Sequence, residues 1–163
     1  MRQPRQLSPE GAVVRLEALC AASEQCTADL REKLRRWLID DDDAERIIAS
    51  LAKRRFVDDA RFARAYVRDK YRFARWGRYK IVMGLKAKRI SANDIEDALT
   101  EIDLDEYERI LLELLQAKVR TARLSREWAD RAKLMRFAAS RGFESSMVGS
   151  LISSGAPWER EDG

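Results

Sequence analysis

Apolar residues recur at intervals of three and four along most of this chain, which is the period of one face of an α-helix. Three clear stripes are Leu30, Leu34, Trp37 and Leu38; Ile47, Ile48 and Leu51; and Tyr107, Ile110, Leu111 and Leu114. Alternation with period two does not extend over any useful length. No glycine or proline falls between Ala12 and Trp76 or between Leu85 and Arg141. The pattern therefore predicts an all-α fold and excludes a turn-rich β-sandwich or barrel.

Helix-capping residues stand before the apolar stripes. Ser8 precedes Pro9 and Glu10, which places a hydroxyl cap before a proline at the first helical position. Further helix starts are predicted at Thr27, at the pair Asp58 and Asp59, at Ser145, and at three capping boxes that begin with Asp42, Asn93 and Asp103. Residues 1–8 are predicted to be a flexible N-terminus and residues 155–163 a disordered tail.

The apolar pattern also repeats along the chain. Six positions recur after 51 residues: Leu30, Leu34, Ile39, Ile47, Ile48 and Leu51 match Ile81, Leu85, Ile90, Ala98, Leu99 and Ile102. Four recur after a further 53: Ile81 matches Leu134, Ile90 matches Phe143, Ile95 matches Val148, and Leu99 matches Ile152. A longer helix, at about 9–22, 59–74 and 104–120, precedes each matched pair. We expect three tandem three-helix units, residues 9–57, 58–103 and 104–154, in an elongated, curved array that offers a binding surface.

Composition removes several classes of chemistry. The 163 residues include no histidine, so Ser-His-Asp catalysis and histidine metal ligands are excluded. Cys20 and Cys26 are too few for a disulfide scaffold and lack zinc-site spacing, and we expect Cys20 to pack as a small hydrophobe. No signal-peptide core follows the N-terminus, and no apolar run is long enough to span a membrane. These observations predict a soluble, cytoplasmic protein.

Positive charge is concentrated in one segment. From Arg61 to Arg89 there are eleven lysines or arginines and one acid, Asp69, a local charge of +10 in a chain whose net charge is +4. The remainder of the chain therefore carries −6. Such an imbalance favours a polyanionic partner. The alternative is a solvated surface on a protein rich in lysine and arginine.

Five arginines of this segment form a row on one helix. Arg61, Arg64, Arg68, Arg72 and Arg75 are spaced 3, 4, 4 and 3 apart and fall within an arc of about 80°. The opposite side is predicted to pack into the core through Phe62, Ala63, Tyr66, Val67 and Phe73. Unpaired like charges at this spacing repel one another, and guanidinium groups suit phosphate or carboxylate. A phosphate backbone or an acidic partner would remove the repulsion.

Aromatic residues follow the row in the sequence Arg75-Trp76-Gly77-Arg78-Tyr79-Lys80. Gly77 is expected to break the helix. Trp76 and Tyr79 either stack on bases, as in single-strand binders, or pack at a corner between helices. Lys86, Lys88 and Arg89 continue the basic face.

The run Asp40-Asp41-Asp42-Asp43 is the one segment that suggests a metal. It lacks the glycine and the spacing of a calcium loop, and its acids suit helix caps. A magnesium-dependent nuclease using this run is the enzymatic alternative. No phosphate-binding loop and no catalytic constellation is visible, so we expect no catalysis, no metal and no cofactor.

Several motifs resemble those of the RecX regulatory family. Residues 56–63, Phe-Val-Asp-Asp-Ala-Arg-Phe-Ala, resemble its aromatic-aliphatic-Asp-Asp-x-Arg-Phe-Ala signature. The residues from Gly77 to Ile90 resemble the pattern that follows, with Arg89 where the family usually has glycine. Residues 133–137 and 141–143 resemble motifs of its third unit. The resemblance covers roughly residues 10–152.

This resemblance implies a non-enzymatic regulator of the RecA recombinase. Family members consist of three tandem three-helix units, lie in the groove of the RecA filament on single-stranded DNA, and limit its extension, ATP hydrolysis and strand exchange. We expect a monomer. Asp58 and Asp59 lie close enough to neutralise Arg61 and Arg64. The predicted contacts are Arg61, Arg64, Arg68, Lys70, Arg72, Arg75, Trp76, Arg78, Tyr79, Lys80, Lys86, Lys88 and Arg89. The alternative function is a free-standing basic helical DNA- or RNA-binding protein without a recombinase partner.

Overall fold

The computed structural model describes residues 6–160, and within that range it contains nine α-helices, one short 3₁₀ helix and no strand. The predicted all-α fold is confirmed. The helices are α1 Pro9–Ala22, α2 Thr27–Arg36, α3 Asp41–Lys53, α4 Asp59–Arg72, α5 Arg78–Ala87, α6 Ala92–Leu99, α7 Leu104–Ala122, α8 Trp128–Ser140 and α9 Ser145–Ser154. No helix among these residues is both long and apolar enough to span a membrane.

Two predicted helix caps are confirmed. The Ser8 hydroxyl accepts a hydrogen bond from the Gly11 N–H at 3.0 Å, and the Asp103 carboxylate accepts one from Glu106 N–H at 2.9 Å. These bonds satisfy N–H groups that have no partner inside the helix. They place the starts of α1 and α7 where the sequence predicted them.

Other helices begin with a different cap from the predicted one. Asp40, rather than Asp42, caps α3 by accepting from the Asp42 N–H at 3.0 Å. At α6 the cap is Ser91, which accepts from Asp94 N–H at 3.2 Å. The last helix starts at Ser145, but the flanking Glu144 makes no capping bond. Short runs of polar residues offer several equivalent caps, so the sequence placed these starts only to within two residues.

The internal repeat is visible in the backbone. Leu38, Arg89 and Gly142 each follow the middle helix of a triplet and adopt left-handed φ values of 59°, 57° and 93°. In each case the next N–H donates back across the helix end: Ile39 to Leu34 O (3.0 Å), Ile90 to Leu85 O (3.1 Å) and Phe143 to Ala138 O (3.2 Å). This is the hydrogen bonding of a Schellman helix end. The three ends are separated by the 51 and 53 residues of the sequence repeat.

The described chain forms two compact units. Unit 1 comprises the chain up to Ala65 together with Leu85–Ala98, and unit 2 comprises Tyr66–Gly84 together with the chain from Leu99 onward. This division differs from the three predicted units, because α4 and α5 each contribute residues to both compact units.

Each unit has its own buried core. In unit 1, α1, α2 and α3 pack around Leu16, Leu30, Leu34 and Leu51, which are fully buried. Cys20 packs against this cluster, as predicted. In unit 2 the largest fully buried side chains belong to Tyr71, Tyr107, Ile81, Leu111, Leu115 and Leu134.

The segment after α9 is ordered as far as it is described. Ala156–Trp158 form a 3₁₀ helix, Pro157 is buried, and the Trp158 indole N–H donates to Leu124 O at 3.1 Å. The prediction of a disordered tail is wrong for these residues, because proline and tryptophan supply apolar surface that packs on unit 2. Residues 1–5 and 161–163 of the predicted flexible ends lie outside the described range.

Candidate functional site

The arginine row begins in unit 1, on the first turns of α4. Arg61 pairs with Glu24 at 2.7 Å, and Arg64 pairs with Asp97 at 3.1 Å. Both arginines are neutralised within the chain. The prediction that the neighbouring aspartates would do this is wrong, since both partners come from distant parts of the sequence.

The two aspartates that precede the row act as caps instead. Asp58 accepts from the Arg61 N–H at 3.0 Å and so caps α4 itself. Asp59 reaches the start of α2, where its two carboxylate oxygens accept from Thr27 N–H and Thr27 Oγ, each at 2.8 Å. The Asp-Asp pair therefore fixes two helix starts within unit 1.

The row continues in unit 2, and here too every arginine has an acidic partner. The pairs are Arg68 with Glu101 at 3.3 Å, Arg72 with Glu106 at 3.1 Å and Arg75 with Glu113 at 3.5 Å. The counter-charge that we expected from a phosphate backbone or an acidic partner is supplied by the chain itself. The arginine side chains remain 42–44% exposed, so water and salt screen the pairs and each is individually weak. The row is accessible from solvent, but its charge is compensated.

The core side of α4 follows the prediction except at its end. Ala63 and Val67 are fully buried and Phe62 is 9% exposed, whereas Phe73 is 79% exposed. The helix ends at Arg72, two residues before the predicted end, so Phe73 lies just beyond it. Phe73 therefore contributes an apolar surface rather than core packing.

Two other predicted contact residues are paired. Lys88 lies 2.7 Å from Asp29 in unit 1, and Arg78 lies 3.3 Å from Glu144 in unit 2. The Arg78 guanidinium also lies over the Tyr107 ring, 4.6 Å from its centroid. Arg78 is therefore part of a polar cluster that supports the fold.

Trp76 in unit 2 is packed between cations. The ammonium groups of Lys70 and Lys80 lie 4.8 and 4.6 Å from the centroid of its ring, and Tyr66 meets it edge-on at 6.5 Å. Such contacts are attractive and hold both lysines at the protein surface. Of the two alternatives left by the sequence, packing describes Trp76. Tyr79 is 62% exposed and is the open aromatic surface.

Three of the predicted contact cations have no acidic partner among the described residues. Within residues 6–160, Lys80, Lys86 and Arg89 have no acidic partner within ion-pair distance, and Lys70 is 4.0 Å from the Asp69 carboxylate beside it. Lys86 and Arg89 are exposed. Arg89 lines a cavity of about 250 Å³ in unit 1, together with Arg31 and Arg35 and with the acids Asp29 and Glu32. Lys80, Lys86 and Arg89 can contact an anion without breaking an internal ion pair.

A second basic group, in unit 2, was not predicted. Residues 118–136 contain seven lysines or arginines and two acids. Lys118, Lys133 and Arg136 line a groove of about 410 Å³ together with the apolar residues Leu124 and Phe137. Counting charge along the whole chain would have found this segment. Its net charge of +5 is smaller than that of residues 61–89.

The acidic run Asp40–Asp43 forms the N-cap and first turn of α3. Asp40 caps the helix, and Asp43 pairs with Arg46 at 2.7 Å. Within the described residues, no group of three or more potential metal ligands comes together. The two cysteines are free thiols, and burial raises the pKa of Cys26 to about 11, so it is unreactive near neutral pH.

Comparison with known protein families gives two matches. The model of the second three-helix domain of RecX matches residues 58–99, and that of the third three-helix domain matches residues 105–152. Together they cover more than half of the chain.

Relatives and solved structures agree with these matches. The Regulatory protein RecX of Ectopseudomonas mendocina is 30% identical, over 82% of this chain and 87% of the relative. That of Amycolatopsis mediterranei is 23% identical, over 91% of this chain and 87% of the relative. A crystal structure of regulatory protein RecX aligns with a TM-score of 0.81 and 25% identity, over 90% of this chain and 73% of that one. RecX from Lactobacillus salivarius shares the fold, with a TM-score of 0.79 and 20% identity, over 90% of this chain and 95% of that one.

Proposed function

Because this chain belongs to the RecX family of regulatory proteins, we propose that it is a non-enzymatic regulator of the RecA recombinase. It binds in the groove of the RecA filament on single-stranded DNA and limits filament extension, ATP hydrolysis and strand exchange. The family match is the observation that carries this proposal. Neither a metal cofactor nor a catalytic group is needed for it.

The uncompensated cations supply the initial contact with the filament. Lys80 and Lys86 project positive charge from α5, and Arg89 follows at the end of the same helix. Tyr79 offers an exposed ring beside Lys80. Lysine and arginine attract phosphate at long range, and an exposed aromatic ring adds contact surface for bases or protein side chains.

The paired cations of the predicted site act after this first contact. Six of the predicted contact cations each have an acidic partner within the chain: Arg61, Arg64, Arg68, Arg72, Arg75 and Lys88. They bind the filament by exchanging a carboxylate for a phosphate or for an acidic side chain of RecA. Lys70 and Trp76 form the packed base on which Lys80 is held.

The test measures the DNA-dependent ATPase of RecA and filament assembly by light scattering, with this protein at substoichiometric amounts. We expect a lower rate and shorter filaments. An unchanged rate together with unchanged filaments contradicts the proposal. Tight binding to naked oligonucleotides with no effect on RecA would instead support the free-standing nucleic-acid-binding alternative.

A matched pair of variants locates the contact. Lys80→Glu/Lys86→Glu reverses two unpaired charges on α5, whereas Arg15→Glu/Lys53→Glu makes the same change in charge at exposed positions of α1 and α3. We expect the first variant to need about tenfold more protein for equal inhibition, and the second to inhibit like the wild type. Equal losses in both variants would rule out α5 as the contact surface.

A further inference from the structure

Three arginines of unit 2 lie against three glutamates that are distant in sequence. Arg68 and Arg72 are one turn apart on α4, and Arg75 follows the helix end. Their partners, Glu101, Glu106 and Glu113, lie just before α7 and on its first three turns. The arginines therefore face a row of carboxylates belonging to the same unit.

The donor atoms used in these pairs are the ones that a phosphate would need. Arg72 binds Glu106 through two atoms, Nε to Oε1 at 3.1 Å and Nη2 to Oε2 at 3.4 Å, which is a side-on, bidentate contact. A phosphate uses the same edge of a guanidinium group. Glu106 must therefore move before the Nε edge of Arg72 can receive a phosphate. Tyr71 and then Glu106 raise the pKa of Arg72, so this side chain stays charged throughout.

The strength of the pairs suits an exchange of this kind. All six side chains are between 26% and 44% exposed, so the pairs are screened by water and salt and cost little to open. A single anion gains almost nothing by replacing a carboxylate. A polyanion presents several phosphates at the spacing of the row and can displace the carboxylates together.

We infer that Glu101, Glu106 and Glu113 compete with the polyanion for Arg68, Arg72 and Arg75, and thereby set the affinity of this surface. The inference rests on the proposed function, since it assumes that the row meets phosphate. The three glutamates are therefore competitors of the polyanion that belong to the chain itself. Removing that competitor strengthens binding, although no new cation is added.

The test compares two triple variants that change the net charge equally. Glu101→Gln/Glu106→Gln/Glu113→Gln removes the competing charges. The control, Glu10→Gln/Glu17→Gln/Asp43→Asn, removes three carboxylates of unit 1, of which Glu17 pairs with Arg54 and Asp43 with Arg46. Binding of a fluorescein-labelled 30-nucleotide oligo(dT) is followed by anisotropy in 0.1 M NaCl. Circular dichroism checks that helix content and the unfolding temperature are kept.

We expect the first variant to bind about tenfold more tightly than the wild type, and the control to change affinity less than about twofold, because distant charges are screened at this salt concentration. An equal gain in both variants would show a net-charge effect and overturn the inference. An unchanged or weaker affinity of the first variant would also overturn it, since the carboxylates would then be neutral or would position the arginines.

A double-mutant cycle tests whether the effect of one glutamate passes through its arginine partner. If Glu106 acts through Arg72, then Glu106→Gln tightens oligo(dT) binding in the wild type and has no effect in the Arg72→Gln background. The same gain in both backgrounds would contradict the proposed exchange. No RecA is present in these measurements, so a failure to inhibit RecA would remove the proposed function while leaving this inference to be decided by the oligo(dT) data.

Discussion

Gly77 and Gly142 lie backbone against backbone in unit 2. The Gly77 N–H donates to Arg141 O at 2.8 Å, and the Tyr79 N–H donates to Gly142 O at 3.0 Å. A Cβ atom on Gly77 would lie 2.2 Å from the carbonyl carbon of Gly142. The start of α5 can therefore dock on the turn between α8 and α9 only because residue 77 has no side chain.

Replacing Gly77 should destabilise the protein. Gly77→Ala forces two backbone segments apart, and we expect a loss of about 3 kcal/mol in the free energy of unfolding, at the upper end for overpacking. Urea denaturation followed by circular dichroism measures it. The control is Gly149→Ala in α9, where an added Cβ meets nothing within 4 Å. That change should stabilise by about 0.5–1 kcal/mol. Similar stabilities for the two variants would contradict the packing described.

Gly77 and Gly142, which both belong to motifs noted in the sequence, thus serve the internal packing of unit 2. Helices, their order and the repeat were predictable from sequence, because a helical period and a cap depend on residues within a few positions of one another. The left-handed helix ends at Leu38, Arg89 and Gly142 lie at the offsets that the apolar pattern gave. Local pattern therefore determines most of the fold.

The ion pairing of the arginine row was not predictable in this way. Arg68 and its partner Glu101 are 33 residues apart, and Arg61 and Glu24 are 37 apart. Counting charge along a segment cannot find such pairs, because they form only when distant helices pack. The docked Trp158 was missed for the same reason, since its indole N–H binds a carbonyl 34 residues away.

Arg89 should be a strained position. Its φ of 57° is left-handed, a conformation that costs a residue with a side chain about 1–2 kcal/mol relative to glycine. Part of the gain from glycine is lost to the greater entropy of the unfolded chain. We expect Arg89→Gly to raise the free energy of unfolding by about 0.5–1 kcal/mol and to weaken inhibition of RecA, because a cation without an acidic partner is removed.

Arg55 provides the control for this prediction. It is also an exposed arginine after a helix, with a φ of 60°, but it lies outside the predicted contact set. Arg55→Gly should stabilise the protein to a similar extent, as measured by urea denaturation, and should inhibit RecA like the wild type. A matching loss of inhibition in Arg55→Gly would show that Arg89 has no special place in the contact.

Tyr107 should make stability depend on alkaline pH. The side chain is fully buried; its hydroxyl accepts from the Arg78 N–H at 3.0 Å and donates to Glu144 at 2.8 Å. Burial, with a further contribution from Glu144, raises the pKa of Tyr107 far above its ordinary value. The unfolded chain therefore loses this proton first, near pH 10. The phenol's contribution is complete below pH 10 and falls above it, by up to about 1.4 kcal/mol per pH unit.

The variant that tests this is Tyr107→Phe. At pH 7 it should lose about 1–3 kcal/mol, because the Arg78 N–H and the Glu144 carboxylate lose a buried partner. Urea denaturation from pH 7 to 11 should then show that the difference in free energy of unfolding between wild type and variant narrows above pH 10. The reason is that only the wild type has a phenol at position 107, which ionises in the unfolded chain. The titration of Cys26 is common to both proteins and cancels in the difference.

Tyr79→Phe, at an exposed phenol, should leave stability at pH 7 unchanged. A constant difference between wild type and Tyr107→Phe up to pH 11 would show that the buried hydroxyl is not kept protonated by the fold.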